Sequence, residues 1–208
     1  MTQRLVIHNE NPQLRLIRQV ITELRQGGLI IYPTDSSYAL GCLIGNKEAM
    51  EQMRRIRQLD NKHNFTLMCR DLSEIAIYAK VSNQAYRLMK SITPGAYTFI
   101  LKATHEVPRR LQNPKRKTIG LRVPQHTITQ SLLQELGEPI MSSTLLMAGD
   151  TIPLNDIDDI YDSLHKQVAM IIDGGSCGFD LTTVIDLEEE APVVMREGKG
   201  PLEVLGLQ

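Results

Sequence analysis

The 208-residue sequence predicts an α/β fold, a mixed and twisted sheet with flanking helices. Two observations carry this. Segments of helical period and segments of strand character alternate along the chain. Some strand-like segments are also direct neighbours, which a regular doubly wound parallel sheet does not accommodate. No Ser/Gly-rich or Pro-rich tract, repeat or low-complexity run interrupts the pattern, so residues 1–208 read as a single domain.

Residues 4–8 open the chain as a strand. Leu14, Ile17, Val20, Ile21 and Leu24 recur at helical spacing, and Gly27-Gly28 supplies the stop. A buried strand follows at 29–33, ended by Pro33, which cannot donate to a sheet ladder. A second apolar segment begins after the polar residues 34–37. Asn46 is an N-cap for a helix with Met50, Met53 and Ile56 inside. Residues 65–69 form a strand, and Asp71 or Ser73 caps a short helix. Ser82 opens another helix that ends before Pro94-Gly95. Strands at 97–102 and 118–123 precede a helix at 127–136, stopped by Gly137. Strands at 140–143, 168–172, 182–187 and 193–196 complete the set.

Composition narrows the class. With 42% hydrophobic and 23% charged residues the chain is an ordinary globular one, and no apolar run approaches the ~18 residues of a membrane span. The start, Met1-Thr2-Gln3-Arg4-Leu5, turns polar too soon for a secretory signal. Cys42, Cys69 and Cys177 are widely spaced with no C-x-x-C, so a cytoplasmic location without disulfides is expected. The histidines are scattered, and no protein-held metal is expected. A net charge of −1 conceals segregation. Lys102, Arg109, Arg110, Lys115, Arg116, Lys117 and Arg122 are opposed only by Glu106, whereas Asp150, Asp156, Asp158, Asp159 and Asp162 lack cations among them. The basic run suits phosphates or nucleic acid; solvated faces are the simpler reading of both runs.

The stretch Tyr32-Pro33-Thr34-Asp35-Ser36-Ser37-Tyr38 places small polar side chains directly after a buried strand. Such groups need partners, because burial without them costs a few kcal/mol each. A ligand is one solution, and a local turn bonded to its own backbone is the other. Further polar residues recur at strand ends: Thr98, Arg122, Ser142-Ser143-Thr144, Thr182-Thr183 and Arg196. Together with Arg55, Arg57 and Lys62 they predict a concave, positively lined crevice at a sheet's edge that handles anions. No G-x-G-x-x-G, P-loop or G-x-S-x-G is present, which disfavours Rossmann, Walker and serine-hydrolase chemistry. Asp173 and Asp186 could be metal carboxylates or turn caps; the turn role is the simpler.

These segments resemble the YrdC/YciO superfamily, which includes threonylcarbamoyl-adenylate synthases, and among its branches the chain is most similar to YciO. The resemblance runs from Tyr32 to Gly198 with the motifs in order. It implies an L-threonine site in the segment 32–41 and a nucleotide clamp at Arg55-Ile56-Arg57-Gln58. It further matches Pro94-Gly95-Ala96-Tyr97-Thr98, Arg122, Thr182-Thr183-Val184 and Arg196-Glu197-Gly198. By resemblance, Thr34, Tyr38, Lys62, Arg122 and Thr182 are expected to hold a threonine-like substrate. Arg55, Arg57, Thr98, Thr144 and Arg196 are expected to hold ATP, which enters with Mg2+ as a substrate. The implied reaction joins L-threonine, bicarbonate and ATP into threonylcarbamoyl-AMP for tRNA modification.

The departures imply weakened or altered activity. The family's Ser-Ala-Asn falls on Thr144-Leu145-Leu146, so Leu146 replaces an amide that contacts ATP. Arg55 replaces a lysine, Gln58 a proline and Ala39 a glycine. The rival expectation is a double-stranded RNA or tRNA-binding module without catalysis, centred on Arg109, Arg110, Lys115, Arg116 and Lys117.

Overall fold

Helices form where the apolar period predicts them in the computed structural model, which describes residues 2–60 and 63–205. Helix α1 (Leu14–Arg25) buries Ile17, Val20, Ile21 and Leu24 along one stripe. Helix α2 (Lys47–Arg57) begins where the Asn46 side chain accepts the Ala49 N–H, and it buries Met50, Met53 and Ile56. Asp71 and Ser82 cap α3 (Leu72–Tyr78) and α4 (Asn83–Ile92) in the same way. Helix α5 (Thr127–Leu136) stops at Gly137, which takes the left-handed conformation that glycine adopts without strain.

One α-helix among the described residues lies outside the sequence expectation. α6 (Ile157–Leu164) occupies the acidic run: Asp156 accepts the N–H groups of Asp158 and Asp159, and both aspartates sit in the first turn. Negative charge there opposes the positive end of the helix dipole favourably. Only Ile160 and Leu164 of α6 are buried, too short an apolar repeat to stand out from the charges.

The strands are β1 (Gln3–Val6), β2 (Ile30–Tyr32), β3 (Ala39–Leu43), β4 (Thr66–Met68) and β5 (Tyr97–Lys102), then β6 (Thr118–Arg122), β7 (Ile140–Thr144), β8 (Met170–Asp173), β9 (Thr183–Asp186) and β10 (Val193–Arg196). They form one sheet in the order β1-β8-β2-β3-β7-β4-β6-β5-β9-β10. Pairing is parallel for β1–β8, β2–β8, β4–β6 and β5–β9 and antiparallel elsewhere, so the sheet is mixed. The opening strand ends at Val6 rather than at residue 8.

The two sheet faces are covered unequally, and this positions the site. On one face α2, α3, α4 and α6 bring Met50, Met53, Ile75, Met89, Ile92, Ile160 and Leu164 against Leu40, Cys42, Leu67, Phe99, Leu121 and Ile185. On the other, α1 and α5 cover Leu5, Ile30, Tyr32, Ile140, Met170 and Ile172, the β1-β8-β2 side of the sheet. Among the described residues that second face carries no helix over β6, β5 and β9, where a crevice lies instead.

Candidate functional site: an arginine-lined crevice

The crevice encloses about 420 Å3 and is lined by alternate residues of neighbouring strands. In β6, Ile119 and Leu121 enter the core, Ile119 also touching the cavity, while Thr118, Gly120 and Arg122 line it. In β5, Phe99 and Leu101 go inward, and Thr98 and Ile100 face the cavity. The two-residue period of a strand produces this division directly. Thr66, Ser142, Thr144 and Val184 complete the floor from β4, β7 and β9.

Thr34 and Asp35 divide the two solutions open to their segment. The Thr34 hydroxyl donates to the Ser37 carbonyl at 2.6 Å and accepts the Ser36 and Ser37 N–H groups, each at 3.2 Å. That is the local turn, and it commits the Thr34 proton. Asp35 reaches across the fold instead: one carboxylate oxygen bonds Arg122 Nη2, and the other accepts the Gln125 N–H at 3.0 Å. Both side chains of this ion pair are nearly enclosed, at 6% and 11% exposure. Arg122 Nε is buried without a hydrogen-bond partner among the described residues.

Arg57 enters from the end of α2. Its Nε donates to the Leu146 carbonyl at 2.7 Å and its Nη1 to Ser143 Oγ at 2.6 Å. Burial pushes the pKa of Arg57 down, as it does that of Arg196. No carboxylate forms an ion pair with either guanidinium among the described residues. Arg196 stands at the rim, with Nε and Nη2 on the Thr182 carbonyl at 3.1 and 2.9 Å. The Thr182 hydroxyl also meets Thr98 Oγ1 at 2.8 Å, which links rim to floor. Gly198 allows this arrangement, because a Cβ there would collide with the main chain of Leu181 and Thr182.

Of the residues expected at the site, Thr34, Arg57, Thr98, Arg122, Thr144, Thr182 and Arg196 line this one cavity, and Leu146 joins them. Lys62 lies outside the described residues. Two expectations need correction. Arg55 is exposed and does not line the crevice, because residues two apart on a helix point in nearly opposite directions. Tyr38 is fully buried in the core, where its hydroxyl donates to the Gly175 carbonyl at 2.8 Å and accepts the Gly174 N–H at 3.3 Å. It pins the turn after β8 instead of facing a substrate. The crevice also lies on a sheet face rather than only at strand ends, so Thr66, Thr118 and Gly120 belong to it unforeseen. Their signal is a polar or small residue at every second position of a central strand.

The basic run is split. Arg109, Arg110, Lys115 and Lys117 are exposed, with Arg110 Nη2 on the Gly45 carbonyl at 2.8 Å. Arg116 turns toward the crevice, where Asp186 and Glu188 neutralise it and hold its pKa above the usual range. Asp173 pairs with Arg4 at 2.8 Å and accepts the Gly175 N–H, so both aspartates named as metal or turn residues have partners in the protein. Among the described residues no group of three or more His, Cys, Asp or Glu side chains could hold a metal ion. No helix among them is long and apolar enough to cross a membrane.

His126 follows the Arg122 strand. Burial pushes its imidazole down from 6.5 to about 4, with Arg122 lowering and Asp35 raising it. A histidine depressed in the folded state contributes stability that is present above its unfolded value and lost as pH falls through the folded one. Stability is therefore expected to fall between about pH 6.5 and 4. Thermal melts at pH 7 and 4.5 should show a smaller acid loss for His126→Gln than for the parent, and an equal loss would remove His126 as the cause.

A mixed sheet flanked by helices, with hydroxyls and arginines lining a crevice on the uncovered part of one face, defines the class as α/β. The chain belongs to the Sua5/YciO/YrdC family, whose model, described as telomere recombination, matches residues 22–198. YciO of Escherichia coli strain K12 is 57% identical over 203 residues, 98% of each chain. The E. coli YciO crystal structure superposes with a TM-score of 0.95, covering 99% of this chain and 100% of that one. The threonylcarbamoyl-AMP synthase of Vibrio vulnificus strain YJ016 is 27% identical over 161 residues, 76% of this chain and 86% of its own. Sua5 of P. abyssi, crystallised in complex with L-threonine, is 26% identical with a TM-score of 0.88, covering 97% of this chain and 59% of that one.

Proposed function

We propose that the crevice binds ATP, with Mg2+ as its counter-ion, and a threonine-like amino acid, and forms an aminoacyl-carbamoyl adenylate with weakened or altered activity. The observation that carries this is the convergence of Arg57, Arg122, Arg196, Thr98, Thr144 and Thr182, from distant parts of the chain, on one cavity. Neither Arg57 nor Arg196 pairs with a carboxylate among the described residues, and a partly desolvated cation such as Arg57 is costly until an anion joins it. Arg122 adds a buried N–H without an acceptor among the described residues. The distant homology to threonylcarbamoyl-AMP synthases supports the substrate class.

In this reaction the amino group of threonine takes up bicarbonate with loss of water to give a carbamate. A carbamate oxygen then attacks the α-phosphorus as the bond to pyrophosphate breaks. Phosphoryl transfer of this kind rests on positioning and charge stabilisation, which guanidinium groups supply. The test is incubation of the protein with ATP, Mg2+, L-threonine and bicarbonate, reading pyrophosphate and adenylate by mass. Adenylate formation that depends on Arg57 supports the reading; no ATP binding at millimolar concentration overturns it.

A second reading, RNA binding, is favoured by the exposed Arg109, Arg110, Lys115 and Lys117 close to the crevice residue Asn113. Replacing Lys115, Arg116 and Lys117 with alanine would remove three cations, but Arg116 is already neutralised within the protein. The salt slope of duplex RNA binding is therefore expected to flatten by about two units, not three. Filter binding across a salt series measures it, and an unchanged slope would move the interface elsewhere.

A further inference from the structure

A second cavity, of about 760 Å3, shares Thr34 with the crevice but takes Asp35, Gln125 and His126 where the crevice takes Arg122. Its polar groups are partly uncommitted. Lys199 Nζ donates to the Asp35 carbonyl at 2.6 Å, which leaves further N–H groups of the ammonium for another acceptor. No carboxylate pairs with Lys199 among the described residues. His126 Nδ1 is buried with no partner among them. Ser176 Oγ accepts from Asn155 Nδ2 at 2.7 Å, so its own O–H remains to be placed. Asp35 is the only acidic residue in the lining among the described residues, and both of its carboxylate oxygens are occupied, by Arg122 and by the Gln125 N–H.

The opposite wall is apolar and fixed. Ile92, Pro94, Tyr97, Pro201 and Val204 form it. The Tyr97 hydroxyl donates to the Pro201 carbonyl at 2.8 Å, and the Thr183 hydroxyl to the Gly200 carbonyl at 2.6 Å. Gly200 lies so close to the Tyr97 ring that a Cβ would collide with it, so the segment after β10 is held as a preformed wall. A preformed cleft of this size with an apolar side and a few convergent polar groups has the character of a small-molecule site.

The charge selects the ligand. One ammonium with hydroxyl and imidazole neighbours matches a single negative charge, whereas a phosphate dianion calls for a guanidinium fork or several cations. We propose that this cavity is a second binding site, for a small organic monocarboxylate with an apolar body. The carboxylate sits at Lys199 and His126, and the body lies on Tyr97, Pro94 and Val204. The site goes beyond the crevice chemistry but touches it, because Lys199 and Arg122 grip the same residue, Asp35.

The probes are 3-phenylpropionate, its uncharged analogue 3-phenylpropionamide, and inorganic phosphate, titrated into isotope-labelled protein and read by NMR. 3-Phenylpropionate should move the His126 imidazole and the Gln125 and Gly178 amides saturably. The amide and phosphate should bind at least about tenfold more weakly, as should 3-phenylpropionate to Lys199→Gln, whose exposed position spares the fold. Arg57→Gln should leave the titration unchanged, which separates this site from the crevice and lets the crevice assignment fail without it. Equal binding of acid and amide, indifference to Lys199→Gln, shifts confined to crevice strands, or no saturable shift at roughly ten times a millimolar Kd would each overturn the proposal.

Discussion

Replacing Asp35 with alanine is expected to lower the unfolding free energy by about 3–5 kcal/mol, the usual cost of stranding one member of a buried ion pair. The partner left behind is Arg122, which borders the crevice but at only 6% side-chain exposure, so water replaces the lost carboxylate poorly. Its Nε already lacks a partner among the described residues, and Asp35→Ala would leave Nη2 without its carboxylate as well. The Gln125 N–H loses its acceptor too. For a chain of this length each kcal/mol moves the midpoint by about 2–4 °C, so a drop of roughly 6–20 °C is expected. Thermal and urea unfolding check it. The double variant Asp35→Leu, Arg122→Met should recover much of the loss, because removing both charges leaves nothing stranded. A loss for Asp35→Ala below about 1 kcal/mol, the range of exposed pairs, would mean that solvent reaches the pair.

The Asp35–Arg122 pair also marks where sequence stops being informative. Each residue could be singled out as polar at a strand end, but 87 positions separate them, and nothing local says that they touch. Local signals performed well wherever a local cause sufficed. Asn46, Asp71 and Ser82 cap helices because a short side chain there satisfies an N–H of the first turn, and Gly137 ends α5 through its backbone freedom. Helix α6 escaped because its charges, favourable at a helix start, resemble any solvated face. Strand order was out of reach: β3 lies beside β7, and β5 beside β9, through long connections. For that reason the floor residues Thr66, Thr118 and Gly120 could not be assembled, although each alternates with a core residue. The same limit explains Arg116, whose neutralising partners Asp186 and Glu188 lie about 70 residues away.

Leu146→Asn is expected to tighten ATP binding, or to raise adenylate formation, by about tenfold to a hundredfold. Leu146 lines the crevice, at the position to which the motif resemblance assigns an asparagine, and its side chain is apolar. A ligand polar group facing it forfeits a hydrogen bond worth roughly 1–3 kcal/mol, which converts to that range. The main chain is already in place, since the Leu146 carbonyl accepts Arg57 Nε at 2.7 Å, so the substitution changes the side chain and leaves the arginine anchored. Arg55→Lys, which would install the lysine that the motif resemblance assigns there, is expected to add little, because Arg55 is exposed and outside the crevice. ATP titration and product mass analysis on the parent, both single variants and the double separate these effects. Arg57→Ala should abolish whatever binding Leu146→Asn confers, because the two residues share one wall. A gain from Arg55→Lys alone would relocate the clamp. A folded Leu146→Asn protein with no gain would mean that the ligand turns an apolar face to this wall, and the crevice would then serve a substrate other than ATP.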